Sequence, residues 1–154
     1  MGTPPRWLCD EMLGRLARYL RILGYDTEYV RGVEDAEILD RLRRDPRVLL
    51  TRDRGLARRV PGTVLLHSTA LPDQLKEIRA AVPELSAVPR FDRCTACNGP
   101  LDPKRPGELR VPGRVPAAVA GSVWECRACG HVYWEGSHTA RLRRDLETWL
   151  GDRA

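Results

Sequence analysis

Short apolar runs alternate with helically spaced apolar residues through the first 82 residues of the chain. The runs predict buried strands, and a recurrence of apolar residues every three or four positions predicts helices. The predicted strands cover 6–9, 25–30, 47–51 and 63–67, and the predicted helices cover 11–23, 34–44, a short stretch around 56–60, and 71–82. Strands that alternate with helices indicate an α/β fold with a parallel sheet that is flanked by helices.

The pattern changes after Pro83. Residues 83–93 are poor in apolar side chains and predict a linker, and residues 94–134 are rich in Cys, Gly and Pro, with too little apolar material for a core of their own. Helical spacing returns over 139–150. We therefore expect a main domain over 1–88, a small cysteine-containing module over 89–138, and a closing helix over 139–154 that packs back on the body.

Four of the five cysteines form two C-x-x-C pairs, Cys94 with Cys97 and Cys126 with Cys129. A glycine follows each pair closely, which favours the tight turn of a zinc knuckle. In a chain without a visible export signal, this spacing favours a closed, structural Zn²⁺ site of four thiolates over disulfides or redox chemistry. The fifth cysteine, Cys9, lies in the first predicted strand and is interpreted as a small buried apolar residue.

Acidic residues follow the predicted strands. Asp10 comes directly after the first strand, Asp53 follows the third, and Asp35 begins the helix that follows the second. Because ligands bind at the carboxyl ends of strands in an open parallel sheet, we expect these carboxylates to meet at one edge. Such a group of like charges needs a cation, and carboxylate oxygens suit Mg²⁺ or Mn²⁺. An ion held there supports metal-assisted hydrolysis of a phosphodiester.

The residues alone leave an alternative open for each acid. An Asp after a strand is commonly a turn residue or a helix N-cap, so Asp10 and Asp35 would each cap the helix that follows. The pattern does not choose between capping and a metal site.

Basic residues lie beside the acids in a chain of 154 residues with a formal net charge of +5. Arg52 and Arg54 flank Asp53, and Arg15 lies near the start of the first helix. A basic surplus suits a polyanionic partner such as RNA, and these three arginines are candidates for contacts to its phosphates. The alternatives are a solvated charged surface and ion pairs with the acids.

The sequence contains no apolar run that approaches the ~20 residues needed to span a bilayer, so we expect no membrane association. The amino-terminal residues lack a basic head followed by an apolar stretch, and we therefore expect a cytoplasmic protein. The residues do not indicate an oligomeric state.

Several ordered motifs resemble those of the Mut-seven C-terminal RNase domain family, a branch of the PIN-like nucleases. The run LCDEMLGRLARYLRILGYDT over residues 8–27 resembles the opening of the family. DAEIL, from Asp35, matches its acidic second helix, and VLLTRDR over 48–54 matches its third-strand motif. Residues 93–101 and 126–138 match its two zinc-ribbon knuckles.

This resemblance implies a PIN-like nuclease domain over 1–88, a zinc ribbon over 89–138, and ribonuclease activity with a divalent metal. It also implies that Asp10, Asp35 and Asp53 are the acidic residues of the site. One position departs from the pattern, because related sequences often carry another Asp where this chain has Gly55. A site with fewer acids is expected to hold one metal firmly rather than two.

Three functional hypotheses follow. The first is a metal-dependent ribonuclease that hydrolyses RNA, in particular single-stranded RNA, with Glu11 assisting indirectly. The second is a PIN-like module that binds RNA or a protein without cutting, which Gly55 and the basic surplus favour. The third is a toxin-like nuclease that a regulatory protein partner controls.

Overall fold

A computed structural model of the chain describes residues 2–110, 115, 119 and 121–151. The positions outside the described residues are 1 and 152–154 at the two ends of the sequence, and 111–114, 116–118 and 120 inside the predicted ribbon. The chain divides into two compact units, with a boundary between residues 85 and 86. The first unit also excludes residues 21–24, which group with the second. That residues 139–154 pack back on the body stays a prediction.

The first unit is built on a parallel four-stranded sheet, which confirms the predicted α/β fold. Its strands are β1 (Trp7–Cys9), β2 (Thr27–Tyr29), β3 (Val48–Thr51) and β4 (Val64–Leu65), in the order β2-β1-β3-β4. The central strands β1 and β3 are apolar almost throughout, as a sheet covered on both faces requires. The carboxyl ends of the four parallel strands therefore share one edge.

Four helices connect or follow these strands: α1 (Gly14–Ile22), α2 (Asp35–Arg44), α3 (Arg54–Arg59) and α4 (Leu71–Ala81). Ile38 of α2 and Leu56 of α3 pack with Leu8 of β1, Leu49 of β3 and Val30 in one buried cluster on one face of the sheet. Trp7 and Cys9 alternate with Leu8 along β1, so they lie on the opposite face, and both are fully buried.

The helix predicted over 11–23 begins as a 3-10 turn at Glu11–Leu13 and becomes α-helical at Gly14. The helix packs closely against β2 at this point, because a Cβ at position 14 would lie 3.1 Å from the hydroxyl oxygen of Tyr29. That hydroxyl donates a hydrogen bond to the carbonyl oxygen of Glu11 at 2.6 Å. The turn that follows Asp10 is thus fixed to the neighbouring strand.

A network of charged residues occupies the amino edge of the sheet, opposite the carboxyl ends. The Arg47 side chain, only 6% exposed, pairs with Asp26 at 2.7 Å and Asp45 at 2.9 Å. Arg6 pairs with the same two carboxylates, at 3.4 Å and 2.6 Å. At the amino edge of the sheet, arginines therefore neutralise the carboxylates.

The second unit contains an antiparallel sheet of β5 (Leu101–Lys104), β6 (Val123–Cys126) and β7 (Val132–Trp134), in that order, and the helix α5 (Ser137–Leu150). Leu109, Val123 and Val132 form a small buried cluster against which Val115 and Val119 pack. This apolar cluster is small, which agrees with the expectation that the segment lacks a core of ordinary size.

The carboxylate of Glu125, 3% exposed, lies in this second unit. It accepts a hydrogen bond from the backbone N–H of Arg110 at 2.9 Å and lies 3.6 Å from the guanidinium of the same residue. On α5, Arg143 pairs with Glu135 at 2.8 Å and lies 5.0 Å from the ring centroid of Phe91. Polar contacts therefore supplement the apolar packing of the second unit.

Within the part of the chain that the structure describes, no helix combines the length and the apolar composition that crossing a membrane requires.

Candidate active site and metal centre

Asp10 extends from the carboxyl end of β1, and its carboxylate is half-buried. Its Oδ2 accepts a hydrogen bond from the hydroxyl of Thr51, the last residue of the neighbouring strand β3. Its Oδ1 is buried and has no partner at hydrogen-bonding geometry among the described residues. A buried carboxylate oxygen without a partner is costly unless a cation or a proton meets it.

The pKa of Asp10 is raised above its ordinary value, chiefly because burial removes water from the charged form. The hydrogen bond from the Thr51 hydroxyl opposes that rise in the pKa, as does the nearby backbone N–H of Met12, which does not reach full hydrogen-bonding geometry; the negative charges of Asp53 and Asp35 add to the rise. Asp10 therefore experiences the charge of both other predicted acids. This electrostatic coupling agrees with their location at one edge of the sheet.

The side chain of Asp53 also stabilises the amino end of a helix. Its Oδ1 accepts a hydrogen bond from the backbone N–H of Leu56 at 3.1 Å, which caps the amino end of α3. Asp10 occupies the capping position of the turn that follows it, but the backbone N–H of Met12 in that turn only approaches its carboxylate and forms no capping bond at full hydrogen-bonding geometry. The capping alternative, which the sequence left open for each acid, thus holds for Asp53, whereas Asp10 forms no capping bond of that geometry.

Thr51 is a site residue that the sequence analysis missed. Its side chain is fully buried, and its hydroxyl oxygen accepts a hydrogen bond from the backbone N–H of Asp53 at 3.0 Å while its proton goes to Asp10. One hydroxyl therefore connects the two acids that follow β1 and β3. The available signal was a polar residue at the end of an apolar strand, directly before the Arg52–Asp53 pair.

Asp35 is the first residue of α2, and its carboxylate is about half exposed. Its Oδ2 lies 3.7 Å from a guanidinium nitrogen of Arg59, at the end of α3. This contact is a weak, solvent-accessible ion pair, because both side chains are about half exposed. Asp35 is therefore free to exchange this partner for another cation at little cost.

The three carboxylates form an open arrangement. Among the described residues, the four cysteines are the only group of three or more potential metal-ligating side chains whose ligand atoms all lie within 4.8 Å of one another. Asp10, Asp35 and Asp53 interact through their charges but do not converge that closely. Mg²⁺ commonly keeps several waters and takes only one or two carboxylates from the protein, so this donor set fits a hydrated ion.

The three arginines that the sequence pointed to occupy different environments. Arg54 is exposed at the start of α3, and Arg15 is exposed on α1 with its guanidinium 5.9 Å from the centroid of the Tyr19 ring. Arg52 is partly buried, and its Nε is buried with no hydrogen-bond partner among the described residues. Arg54 and Arg15 are accessible to a phosphate, whereas Arg52 is partly withdrawn from solvent.

The four predicted zinc ligands come together in the second unit. All four Sγ atoms lie within 4.8 Å of one another, and none of the cysteines forms a disulfide. The sulfurs of Cys97 and Cys126 lie 3.4 Å apart, and those of Cys94 and Cys129 lie 3.7 Å apart. Four thiolates at these separations fit a closed tetrahedral Zn²⁺ site, so the ribbon's metal-binding group is confirmed.

The turns around the sulfurs are tight. A Cβ at Gly99 would lie 3.0 Å from the sulfur of Cys126 and 3.1 Å from that of Cys97, so only glycine fits there without a shift. The backbone N–H of Gly99 donates to Cys97 Sγ at 3.3 Å, and that of Cys129 donates to Cys126 Sγ at 3.4 Å. Backbone donors of this kind stabilise thiolates, the form that binds the metal.

Burial works against ionisation of Cys126, but the backbone N–H groups of Cys129 and Ala128, together with the side chains of Cys97 and Cys129, outweigh it and lower the pKa of the Cys126 thiol to about 7. The pKa of Tyr133 is raised to about 12, chiefly because the side chain is buried and secondly because its hydroxyl contacts Cys94. Tyr133 is thus a protonated hydroxyl beside the metal-binding group.

Aromatic residues surround the second knuckle, where the sequence left both core packing and base stacking open. The ring of Trp124 stacks on Phe91 with centroids 5.3 Å apart, and His131 lies 4.5 Å from Tyr133. Trp134 is 37% exposed. Trp124 and Tyr133 serve packing and the metal-binding group, and Trp134 offers an aromatic surface to solvent.

Comparison with known proteins identifies the family. No curated protein and no solved structure matches the chain. The model of the family described as the Mut7-C RNAse domain matches residues 5–146, a range that contains both the acidic edge of the sheet and the four cysteines. The resemblance that the motifs indicated is thereby confirmed, and the chain belongs to the Mut7-C RNAse domain family.

Proposed function

We propose that this protein is a metal-dependent ribonuclease that hydrolyses phosphodiester bonds in single-stranded RNA. Membership of an RNase domain family supports nuclease activity in general terms. The observation that carries the finer proposal is Asp10, whose buried Oδ1 lacks a hydrogen-bond partner among the described residues while two further acids raise its pKa. A divalent cation would supply a partner for Oδ1 and would also offset the repulsion among the three carboxylates.

Asp10, Asp35 and Asp53 would hold the ion. When bound, Mg²⁺ or Mn²⁺ supplies Lewis-acid stabilisation of the phosphoryl charge and assists ionisation of the attacking water. Thr51 holds Asp10 through Oδ2, which leaves Oδ1 to act as the ligand atom. Asp53 keeps one oxygen on the amino end of α3, so its orientation does not depend on the cation.

The basic residues around the edge support binding of a phosphate backbone. Arg54 and Arg15 are exposed, and both are placed on helices that begin close in sequence to the acids Asp53 and Asp10. Contacts from such side chains to phosphates position a nucleic acid without reading its sequence. Loss of one such contact is expected to weaken binding uniformly across RNA sequences.

A second function is favoured by the open arrangement of the acids. Because their ligand atoms do not converge within 4.8 Å, a PIN-like module that binds RNA without cutting is the rival. The rival predicts RNA binding that persists in excess chelator and no cleavage product. A regulatory protein partner, as the toxin-like hypothesis requires, stays a separate proposal.

The decisive experiment incubates the purified protein with end-labelled single-stranded RNA, with Mn²⁺ or Mg²⁺ and with excess chelator. The variant is Asp10→Asn, and the matched control is Asp40→Asn, which removes an exposed carboxylate from α2 that pairs with Arg44 at 3.0 Å. The proposal expects cleavage that requires the metal, is lost in Asp10→Asn and persists in Asp40→Asn. Equal cleavage by Asp10→Asn and the wild type would overturn it.

A further inference from the structure

The two zinc knuckles have the same sequence spacing but different hydrogen-bond donors. In the second knuckle, the backbone N–H groups of Cys129 and Ala128 both stabilise the sulfur of Cys126. In the first knuckle, the residue equivalent to Ala128 is Ala96, and its backbone N–H lies close enough to the hydroxyl of Tyr133 to lower the pKa of that tyrosine. The two knuckles are therefore not equivalent in how they hold their first cysteine.

The Tyr133 hydroxyl lies 3.1 Å from the sulfur of Cys94 and 3.0 Å from the hydroxyl oxygen of Thr95. A metal-bound cysteine is a thiolate, which accepts hydrogen bonds and has no proton to give. In the metal-bound state Tyr133 must therefore be the donor to Cys94. A hydroxyl has a single proton, so Thr95 must then donate to the oxygen of Tyr133.

Tyr133 reaches Cys94 from a distant part of the chain, 39 residues further on, in strand β7. The ring is half-buried and lies 4.5 Å from that of His131, so the position of the hydroxyl is set by the packing of the sheet. In the second knuckle, by contrast, the donors belong to the knuckle itself. The sulfur of Cys94 thus has a side-chain hydroxyl from another strand as a donor, and that of Cys126 accepts from the backbone of its own knuckle.

We infer that Tyr133 is a positioning residue of the metal centre, which donates a hydrogen bond to the Cys94 thiolate and thereby sets how tightly the four-cysteine site retains its metal. Partners that hydrogen-bond to metal ligands orient them and tune the metal, and their loss commonly costs roughly 10- to 100-fold in metal affinity. This role concerns the ribbon alone and does not depend on nuclease activity.

The test uses the full-length protein with Zn²⁺ and with Co²⁺ as a spectroscopic substitute. Tyr133→Phe keeps the ring and removes only the hydroxyl. We expect it to weaken Zn²⁺ binding by roughly 10- to 100-fold in competition with a chromophoric chelator, and to shift the thiolate-to-Co²⁺ charge-transfer absorption. The control is Trp134→Phe, which changes the next residue of the same strand and has no contact to a sulfur among those described.

Thr95→Val provides a second variant that touches neither the sulfur nor the ring. It removes the donor to the Tyr133 oxygen, so we expect a smaller loss of affinity than in Tyr133→Phe and a band shift in the same direction. If Tyr133→Phe does not fold even at saturating metal, Thr95→Val decides the question. Wild-type affinity and an unshifted Co²⁺ band in the folded variant would overturn the inference.

Discussion

The hydroxyl of Thr51 donates a hydrogen bond to Oδ2 of Asp10 across two adjacent parallel strands, β3 and β1. The same hydroxyl accepts a hydrogen bond from the backbone N–H of Asp53 at 3.0 Å. A fully buried residue that carries no charge therefore fixes two of the three acids of the candidate site relative to each other. The predictions for the acidic edge follow from this connection.

Replacing Thr51 by Val should reduce metal-dependent cleavage while leaving the fold intact. The substitution keeps the shape of the side chain but deprives Asp10 of a donor and Asp53 of an acceptor. Since the Thr51 hydrogen bond lowers the pKa of Asp10, its loss should raise that pKa further and move the acid limb of the pH–rate profile to higher pH.

The control for this variant is Thr27→Val. Thr27 is likewise fully buried in a strand, but its hydroxyl donates to the carbonyl oxygen of Tyr25 at 3.0 Å. Loss of a buried hydrogen bond of this kind should cost about 1 kcal/mol of folding free energy in either variant. Only Thr51→Val should change the pH profile, and an unchanged acid limb would contradict the role given to Thr51.

Asp10→Asn should make the metal-free protein more stable at neutral pH. The folded state raises the pKa of Asp10 above its ordinary value of 3.8, so folding is penalised once the carboxylate ionises, and the penalty grows as the pH rises through the raised pKa. Below pH 3.8 the carboxyl is neutral in both states, so this contribution to the difference from Asn should vanish. Addition of Mn²⁺ should stabilise the wild type and not the variant.

Thermal unfolding measured from pH 3 to pH 8, with and without Mn²⁺, checks this prediction. The expected pattern is a higher Tm for Asp10→Asn in chelator at neutral pH, and a smaller or reversed difference with the metal. A variant that is less stable than the wild type in chelator at neutral pH would show that the Asp10 carboxylate is not destabilised by burial.

Arg54→Gln should weaken binding of single-stranded RNA by the catalytically inactive Asp10→Asn protein. Arg54 is exposed at the start of α3, next to Asp53, and one lost phosphate contact should reduce the slope of log K against log salt by about 0.7. The control is Arg105→Gln, in the second unit, whose side chain is 90% exposed. Binding titrations at several salt concentrations measure both, and equal slopes for the two variants would contradict the role of Arg54.

The order of elements was predictable because it depends on local apolar periodicity. The structure departs from the prediction at the ends of elements, where tertiary packing adds to local periodicity. The first turn after Asp10 is 3-10, and the Tyr29 hydroxyl of the next strand donates to the Glu11 carbonyl in it. The strand predicted over 63–67 shortens to Val64–Leu65, the two residues that pair with β3.

Each candidate site likewise contains residues that were predictable from the sequence and one residue that was not. The cysteines follow from spacing, and the shared edge of the acids follows from the parallel topology, so both were predictable. Thr51 and Tyr133 act through hydroxyl groups whose partners are 41 and 39 residues away, respectively. No periodicity or spacing in the sequence encodes such a pair, because it depends on strand register and side-chain packing.

Arg47→Met should destabilise the first unit without any direct effect on the acidic edge. The Arg47 side chain is 6% exposed and pairs with Asp26 and Asp45 at the amino edge of the sheet. Its removal leaves these carboxylates short of partners, which should cost about 2 kcal/mol. Arg44→Met, which breaks an exposed pair with Asp40, should cost no more than about 0.5 kcal/mol. Urea unfolding at pH 7 measures the difference, and similar losses for the two variants would contradict the prediction.

Cys126→Ser should abolish stoichiometric zinc binding, whereas Cys9→Ala should retain it. Cys126 is buried within the group of four sulfurs, and Cys9 lies in β1 of the first unit. Because the apolar cluster beside the knuckles is small, loss of the metal should also disorder much of the segment around the cysteines. Metal analysis of the purified proteins and the near-ultraviolet circular dichroism of the aromatic residues measure the two effects. Retention of one zinc per chain in Cys126→Ser would mean that the four cysteines are not the ligand set, and loss of zinc in Cys9→Ala would place a ligand outside the ribbon.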